Sequence, residues 1–258
     1  MLKWFEKSDI KKIRALLEDR ENLPIIILTG SGISAESGIQ TFRGKDGLWQ
    51  GSRIEEVCRP EGFESNPKKV IDFYNERRKE ILKSEVKPNL AHLALARLEQ
   101  ELIDVYVITQ NVDDLHERAD SKNVFHMHGS LLKNKCNTCL HVVESKEPMA
   151  FPNQCHVCGE ENQLRPDVVF FKEFPYHMRE IEKLVNSAKI FISIGTSGLV
   201  YPAAGLVKNA QHNGAICIEI NPNASGNTQL FDLSIKRNAG DCLPEICEEL
   251  ISIIKDGK

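Results

Sequence analysis

Short apolar runs recur along the chain and predict the strands of a buried parallel sheet. Four of them are rich in β-branched residues, and small or polar residues follow each one: 25–28 (IIIL), 103–109 (IDVYVIT), 190–194 (IFISI) and 216–220 (ICIEI). Runs of this length without polar alternation are typical of strands that are covered on both faces. Residues 168–171 (VVFF) are a further extended apolar segment.

Stretches with helical spacing of apolar residues lie between these runs. They predict helices over 8–21, 67–83, 89–101, 177–187, 202–213 and 243–255. Strands that alternate with helices indicate an α/β fold with a Rossmann-like parallel sheet. Residues 41–66 are rich in glycine and charge. We expect a long loop there, which in a compact domain is usually functional or mobile.

The first predicted strand leads directly into a glycine-rich turn, GSGISA at 30–35. This turn fits the G-x-G-x-x-G/A pattern, which places a pyrophosphate on N–H groups at the start of a helix. A dinucleotide fold also carries an Asp or Glu at the end of its second strand, about 20 residues later. Residues 41–53 show no strand pattern, so the absence of that acid disfavours a simple dehydrogenase.

Polar or small residues follow the other predicted strands as well. With Thr29-Gly30-Ser31 after the first strand, the groups are Thr109-Gln110-Asn111, Gly195-Thr196-Ser197 and Asn221. Each group alone is compatible with ordinary turn chemistry. Ligands of open parallel sheets bind outside the carboxyl ends of the strands, so the groups together predict a nucleotide site.

Composition and charge narrow the class of protein. The chain has 258 residues and a net charge of −4, which argues against general nucleic-acid binding. No apolar run approaches the 18 residues of a membrane span. The charged N-terminal segment lacks a signal-peptide core. We therefore expect a cytosolic protein without a membrane partner, whose eight cysteines are ligands or core residues rather than disulfides.

Two C-x-x-C pairs predict a structural metal site. Cys136 and Cys139 are followed after fifteen residues by Cys155 and Cys158, the spacing of a zinc ribbon. Four thiolates complete a tetrahedral shell, so the zinc would be structural; redox dithiols are the alternative. The other four cysteines show no pairing pattern and are expected in core or surface roles.

Two histidines precede this module, at 126 and 128. Either could be a general base near a nucleotide, because imidazole titrates near neutrality. A structural role is the alternative for each, and the spacing does not choose between them.

The motifs together resemble those of the sirtuin family, the NAD-dependent protein-lysine deacylases. The matching segments are GSGISAESGIQTFRGKDGLW (30–49), TQNVDDLH (109–116), HMHGSL (126–131), the two C-x-x-C pairs, RPDVVFFKEFP (165–175), GTSGLVYPAA (195–204) and INP (220–222). They follow the family's order along nearly the whole chain. The resemblance implies acyl transfer: the acyl-lysine oxygen attacks C1′ of the nicotinamide ribose, nicotinamide leaves, and water finally releases lysine and O-acyl-ADP-ribose.

The resemblance also implies roles for individual positions. The histidine of the H-G motif is the base in the family, which selects His128, with Asn111 beside it in catalysis. Val169, Phe171 and Glu173 would pair with the main chain of an extended acyl-lysine peptide as an added strand. Residues that would bind NAD are Gly30, Ser31, Gly32, Ile33, Ala35, Glu36, Thr41, Phe42, Arg43, Trp49, Gln110, Asn111, Val112, Asp113, Gly195, Thr196, Ser197, Asn221, Pro222, Asn223 and Ala239.

Tyr74 and Arg77 share one face of a predicted helix and resemble the acyl-carboxylate motif of class III sirtuins. A solvated surface pair is the alternative. We expect removal of both acetyl and succinyl or malonyl groups, with Arg78 facing outward. Three departures from the family pattern are Ser31, Gln40 and Lys172, and we expect the Lys172 side chain to point to solvent.

The motif order also divides the chain. We expect a Rossmann-like domain from 1–50, 87–132 and 165–258, a helical module with a cofactor loop at 51–86, and a zinc-ribbon module at 133–164. Two other functions remain open at this point: a protein mono-ADP-ribosyltransferase that uses the same site, and a non-catalytic sensor of NAD or ADP-ribose.

Overall fold

The computed structural model describes residues 2–18, 23–41, 48–49 and 52–256. Its strands, in chain order, are β1 (Ile25–Thr29), β2 (Leu48–Trp49), β3 (Ser52–Arg53), β4 (Val105–Thr109), β5 (Val124–His126), β6 (Gly129–Cys136), β7 (Val142–Glu144), β8 (Leu164–Val168), β9 (Ile190–Ile194), β10 (Ile216–Ile220) and β11 (Leu233–Ile235). Its helices are α1 (Leu2–Leu17), α2 (Ile54–Val57), α3 (Pro60–Ser65), α4 (Pro67–Ile81), α5 (Leu90–Glu101), α6 (Leu115–Arg118), α7 (Met178–Ser187), α8 (Leu206–His212) and α9 (Ala239–Asp256).

The main sheet has six parallel strands in the order β5-β4-β1-β9-β10-β11. Counted along the chain within this sheet, the order is 3-2-1-4-5-6, the arrangement of dinucleotide-binding folds. The order in which successive strands are added to the sheet changes from one side to the other between β1 and β9. Thr29 at the end of β1 lies level with Thr109 of β4 and Ile194 of β9, so the carboxyl ends of these strands form one edge.

Helices cover both faces of the main sheet, as the uninterrupted apolar runs predict. Along β1, Ile25 and Ile27 pack in a core with residues of α1, α5 and α9, whereas Ile26 and Leu28 pack in a second core with residues of α7 and α8. This division follows from the alternation of side chains along a strand. The predicted α/β class and the Rossmann-like sheet are confirmed.

A smaller antiparallel sheet, ordered β7-β6-β8, forms a second body of structure with α2, α3 and α4. Its core joins the helices to the sheet through Val57, Val70 and Tyr74 on one side and Leu131 and Phe170 on the other. Strand β6 crosses the predicted boundary at residue 133. The three-part division of the chain remains our proposal, with the helical and zinc modules sharing this core.

Arg78 does not face outward as expected; it is only 2 % exposed. Its guanidinium donates hydrogen bonds to the Leu131 carbonyl at 2.7 Å, to Asn134 Oδ1 at 2.6 Å and to the Glu147 carbonyl at 2.5 Å. The expectation was wrong because these acceptors come from the second sheet, far away in sequence. Arg78 thus fastens α4 to that sheet.

Several other element predictions need correction. Within 41–66 the described residues form β2, β3, α2 and α3 rather than one long loop. The apolar segment 168–171 leaves its strand after Val168. The last helix begins at Ala239 rather than 243, where the Glu36 carboxylate accepts a hydrogen bond from the Gly240 N–H at 2.8 Å. This remote contact has no counterpart in the local sequence pattern.

None of the described helices is long and apolar enough to cross a lipid bilayer.

Candidate active site

Two glycine turns meet at the edge where the strand order reverses. Gly30 and Gly32 follow β1, Gly195 follows β9, and the Gly32 N–H donates to the Gly195 carbonyl at 2.9 Å. A Cβ on Gly32 would lie 2.6 Å from the Gly195 Cα, and Gly195 itself has a φ of +62°. Only glycine permits this approach. Main-chain groups therefore form the place where open α/β sheets bind ligands.

The chain after the first glycine turn differs from the expected helix start. Residues Ala35–Ser37 form a single 3₁₀ turn. The N–H groups of Ile33 and Ser34 donate back to the carbonyls of Gly30 and Ser31, so the turn is closed on itself. Asn89, which caps α5, supports it by donating to the Ile33 carbonyl at 2.7 Å.

A buried polar cluster lies beside this turn. The Asn111 amide donates to Ser34 Oγ at 3.1 Å, and Ser34 Oγ donates to Asp113 Oδ2 at 3.1 Å. The second carboxylate oxygen of Asp113 accepts the Leu115 N–H at 3.1 Å. Burial raises the pKa of Asp113 to about 6, against the opposing effects of the Leu115 and Ser34 hydrogen bonds. The structure thus brings two predicted residues together and adds Ser34, which the sequence reading missed.

The ends of β1 and β4 are locked together beneath this cluster. Thr29 Oγ1 donates to Thr109 Oγ1 at 2.9 Å and lies 3.0 Å from His116 Nε2, while the Asn111 N–H donates to Thr109 Oγ1 at 3.0 Å. Burial lowers the pKa of His116 well below its usual value, so this ring is neutral. Thr29 and Thr109 were predicted only as polar residues at strand ends near a nucleotide, and the supporting role of His116 was not predicted.

The two candidate histidines have different hydrogen-bonding environments. His126 Nδ1 lies 3.1 Å from the Asn111 carbonyl and its Nε2 lies 2.7 Å from Glu117 Oε1. His128 Nδ1 lies 3.1 Å from the Gln110 carbonyl, and its Nε2 has no hydrogen-bond partner among the described residues. A carbonyl accepts only, so Nδ1 of His128 carries the proton and Nε2 keeps its lone pair.

The pKa values of the two histidines also shift in opposite directions. Burial lowers the pKa of His128, although its hydrogen bond to the Gln110 carbonyl opposes this. Burial also disfavours the charge on His126, but the hydrogen bond and attraction of Glu117 outweigh it and raise the pKa of His126. The ring of His128 is therefore the neutral one near pH 7.

The segment 169–173, predicted to pair with a peptide, is held by hydrogen bonds from its own N–H groups to other parts of the chain and to itself. Its N–H groups at 169, 170, 171 and 173 donate to the His128 carbonyl, Glu173 Oε2, the Cys58 carbonyl and the Phe170 carbonyl, respectively. Glu173 Oε1 also accepts from Arg165 at 2.7 Å. Any strand added here would have to donate its own N–H groups to carbonyls of the segment, because these four donors are engaged.

Tyr74 lies next to Cys58 in the core of the second body, and Arg77 follows it on the same helix, α4. Tyr74 is fully buried, stacks on Phe170 with ring centroids 6.0 Å apart, and its Oη lies 3.6 Å from Cys58 Sγ. Arg77 is half-buried, with its guanidinium 3.8 Å above the Phe73 ring and Nη1 donating to the Phe73 carbonyl at 2.9 Å. The Arg77 pair with Tyr74 is thus not a solvated surface feature.

The predicted adenosine end gathers at the ends of β9 and β10. Asn221 Nδ2 donates to the Thr196 carbonyl at 2.7 Å, and Gly226 N–H donates to the Ser197 carbonyl at 2.8 Å. The sequence reading missed Glu219, a carboxylate 1 % exposed that accepts hydrogen bonds from the hydroxyls of Ser225, Thr228 and Ser234. This cluster ties the segment after Asn223 to the sheet.

Some predicted contacts lie outside the described residues. Phe42 and Arg43 belong to the undescribed segment 42–47, and of Trp49 only the main chain in β2 is described. Thr41, Val112, Pro222 and Ala239 belong to the described residues, and the Val112 carbonyl accepts the Leu131 N–H at 2.9 Å. Their binding roles stay predictions.

The four predicted zinc ligands come together at the end of β6. Their Sγ atoms all lie within 4.8 Å of one another, with Cys136 3.7 Å from Cys158 and Cys139 3.7 Å from Cys155. Zinc–sulfur bonds of about 2.3 Å give a tetrahedron with edges of about 3.8 Å, whereas a disulfide needs about 2.05 Å. The donor set therefore fits one tetrahedral zinc ion.

Comparison with known proteins gives the same assignment along most of the chain. The profile described as "Sir2 family" matches residues 30–202. An NAD-dependent protein deacylase of Vibrio vulnificus is 50 % identical over 229 residues, 88 % of this chain and 94 % of that protein. One of Trypanosoma brucei brucei is 49 % identical over 235 residues, 90 % of this chain and 96 % of that protein.

Solved structures agree in fold. A Sir2 homologue in complex with NAD is 39 % identical and superposes with a TM-score of 0.85, over 95 % of each chain. A Sir2 complex with a p53 peptide and NAD⁺ is 31 % identical with a TM-score of 0.77, over 93 % of this chain and 98 % of that one. With a family profile that spans well over half of its residues and relatives near 50 % identity, the chain belongs to the Sir2 family.

Proposed function

We propose that the protein is an NAD-dependent protein-lysine deacylase that transfers the acyl group to ADP-ribose. Its relatives near 50 % identity carry the name NAD-dependent protein deacylase. The observation that carries the proposal is the state of His128: its Nδ1 is held on the Gln110 carbonyl, which leaves Nε2 as a neutral base at the sheet edge.

NAD is the proposed co-substrate. The glycine turns at 30–32 and 195 would hold the pyrophosphate, and Asn111 and Asp113 would hold the nicotinamide ribose and carboxamide. The buried hydrogen bonds from Asn111 through Ser34 to Asp113 support this, because they preorganise both side chains before a ligand arrives. Bound NAD supplies an electrophilic ribose carbon whose bond to nicotinamide can break.

Within that chemistry, the chain's own residues bind, orient and move a proton. His128 would accept a proton from a ribose hydroxyl at Nε2, and the Gln110 carbonyl would stabilise the resulting positive ring through Nδ1–H. Cys136, Cys139, Cys155 and Cys158 would hold a zinc ion outside this chemistry, since a Cys₄ shell leaves no coordination position for a substrate. Such an ion would hold together the chain segments that follow β6 and precede β8.

We also propose that the enzyme removes acidic acyl groups in addition to acetyl. Arg77 and Tyr74 together can bind a carboxylate. Tyr74 stacks on Phe170 of the 169–173 segment, and the Arg77 guanidinium lies over the Phe73 ring. Arginine forms strong charge-assisted hydrogen bonds with carboxylates. Succinyl- and malonyl-lysine are the substrates that fit this pair.

The protein substrate would bind in an extended conformation along residues 169–173. The N–H groups of that segment are already engaged, which favours pairing through its carbonyls. The N–H groups of the peptide would donate to these carbonyls. A cytoplasmic location and the lack of a specific nucleic-acid partner remain part of this proposal.

A panel of acyl-lysine peptides tests the proposal directly. The protein is incubated with NAD and acetyl-, malonyl- or succinyl-lysine peptides, and product masses are followed. We expect free lysine peptide, nicotinamide and O-acyl-ADP-ribose in equal amounts. ADP-ribose attached to protein, without O-acyl-ADP-ribose in solution, would instead identify a mono-ADP-ribosyltransferase. No nicotinamide release with any peptide would leave a sensor and contradict the enzyme assignment.

A further inference from the structure

Glu117 and His126 form an ion pair beside the nicotinamide end of the proposed site. Glu117 lies on the short helix α6 and His126 ends β5. His126 Nε2 and Glu117 Oε1 are 2.7 Å apart. Neither the zinc module nor the acyl-transfer chemistry uses this pair. One member of the pair, His126, lies two residues before His128 in the sequence.

Both ring nitrogens of His126 face atoms that accept hydrogen bonds. Nδ1 faces the Asn111 carbonyl at 3.1 Å, and Nε2 faces the Glu117 carboxylate. An ionised carboxylate and a carbonyl have no proton to give, so both bonds form only when the ring carries two N–H groups. Such a ring is positively charged. His128 faces a single acceptor and stays neutral. The positive charge is therefore on His126 and not on His128.

The charged ring acts on residues that the proposed function assigns to NAD. Through Nδ1–H it fixes the main chain of Asn111, whose side chain binds Ser34. Its positive charge also favours the ionised form of Asp113 and lowers the pKa of that carboxyl, in opposition to burial. An ionised Asp113 can only accept hydrogen bonds, which suits it to the carboxamide N–H of nicotinamide and to the hydroxyls of the attached ribose.

We propose that Glu117 and His126 are a positioning pair for NAD, in which the charged ring holds the Asn111 carbonyl and keeps the Asp113 carboxylate ionised. This inference rests on the proposed function for the identity of the ligand. The pair touches no reacting atom, and it acts through Asn111 and Asp113. Its effect is therefore on NAD affinity and on the pH range over which that affinity holds.

Other charges around the pair set the size of the effect. Burial of Glu117 opposes its ionisation, but the hydrogen bond and the charge of His126, its own main-chain hydrogen bond and the charge of Lys133 together outweigh this and lower the pKa of Glu117. Glu117 keeps 43 % of its side chain exposed, so solvent partly screens the attraction. The remaining charged or titratable neighbours are Asp114, His116 and Lys133. We therefore expect a shift of about half a pH unit rather than several units.

Glu117→Gln is the sharpest variant, because the amide oxygen still accepts a hydrogen bond from His126 while the negative charge is removed. The affinity for NAD is measured by calorimetry from pH 5.5 to 8.5, without any acyl peptide. We expect equal affinity at pH 8, and at pH 6 an affinity about twofold weaker than that of the wild type, because a rise of half a unit in the pKa of a carboxyl that titrates near 6 halves its ionised fraction there. Glu182→Gln, an exposed change on α7, is the matched control and should leave the curve in place.

The charge on His126 is measured separately by NMR titration of its ring. In the wild type the ring should be more than half protonated at pH 6.5, and in Glu117→Gln its midpoint should fall. Superimposable NAD-binding curves, or an unchanged His126 midpoint, would overturn the proposal. Melting temperatures of both variants establish that they are folded. A wild-type protein that binds NAD with this pH dependence but deacylates nothing would contradict the deacylase assignment alone.

Discussion

Tyr74 donates its buried hydroxyl to the thiol of Cys58, with Oη and Sγ 3.6 Å apart. Burial raises the pKa of Tyr74 well above its usual value and that of Cys58 to about 11, so both groups keep their protons. Sulfur is a weak acceptor, whereas a carboxylate is a strong one. In the proposed acyl site, the thiol would therefore compete with an acidic acyl group for the Tyr74 hydroxyl.

Replacing Cys58 with Ala should favour acidic acyl groups. The change frees the Tyr74 hydroxyl and enlarges the space beside Arg77. We expect the ratio of kcat/KM for succinyl-lysine to that for acetyl-lysine to rise severalfold, with a loss of about 1 kcal/mol in stability. Cys217→Ala, a buried thiol in β10, is the control that should lose similar stability without changing the ratio. An unchanged ratio in Cys58→Ala would mean that the thiol does not face the acyl group.

Arg77→Met should separate acidic from neutral substrates. Loss of a charge-assisted hydrogen bond costs about 1.5–3 kcal/mol, which lowers kcat/KM for succinyl-lysine about tenfold to a hundredfold. Acetyl-lysine carries no carboxylate, so its kcat/KM should change little. Arg179→Met, an exposed change on α7, is the control for loss of one positive charge. Equal losses on both substrates would show that Arg77 supports the fold or NAD rather than the acyl carboxylate.

Local patterns predicted the parts of this fold that depend on local chemistry. The bounds of β9 and β10 agree with the apolar runs 190–194 and 216–220, because fully buried strands need continuous apolar sequence. Cys136 and its three partners were found because metal geometry imposes fixed spacing. Short strands such as β5 and β11, each three residues long, carry too few residues for a pattern.

What the sequence could not provide were contacts between remote segments. Arg78 looked like a surface residue because its acceptors lie 53, 56 and 69 residues away. The start of α9 depends on Glu36, 204 residues earlier. The roles of His126 and His128 could not be separated by spacing, since the difference lies in which acceptors face Nε2. Such pairings arise only when the strands are assembled.

Activity should depend on the neutral form of His128. Burial lowers the pKa of His128 below its usual 6.5, so the base is available at neutral pH and is lost as the pH falls below 6.5. At saturating NAD, kcat should be constant above pH 7 and decline with an acid limb below 6.5.

His128→Gln should reduce kcat by at least about a hundredfold, the scale of general-base catalysis, while NAD still binds. His212→Gln, an exposed change on α8, should behave as wild type. Near-normal turnover by His128→Gln would exclude it as the base.

Lys172 tests backbone strain within the segment 169–173, which is proposed to bind the peptide. It stands at a φ of +77°, where glycine is favoured. Its side chain points to solvent as expected, with 60 % exposed, and its ammonium pairs there with Glu61 Oε1 at 2.5 Å. Lys172→Gly and Lys172→Ala both remove the ion pair, but only the glycine relieves the strain. Lys172→Gly should therefore be more stable than Lys172→Ala by about 1 kcal/mol in chemical denaturation. Since neither variant alters the N–H groups that fix the segment, both should keep their kcat/KM within about twofold of wild type. Equal stability of the two variants would mean that the positive φ carries no strain, and a large loss of activity in both would place the Lys172 charge in substrate binding.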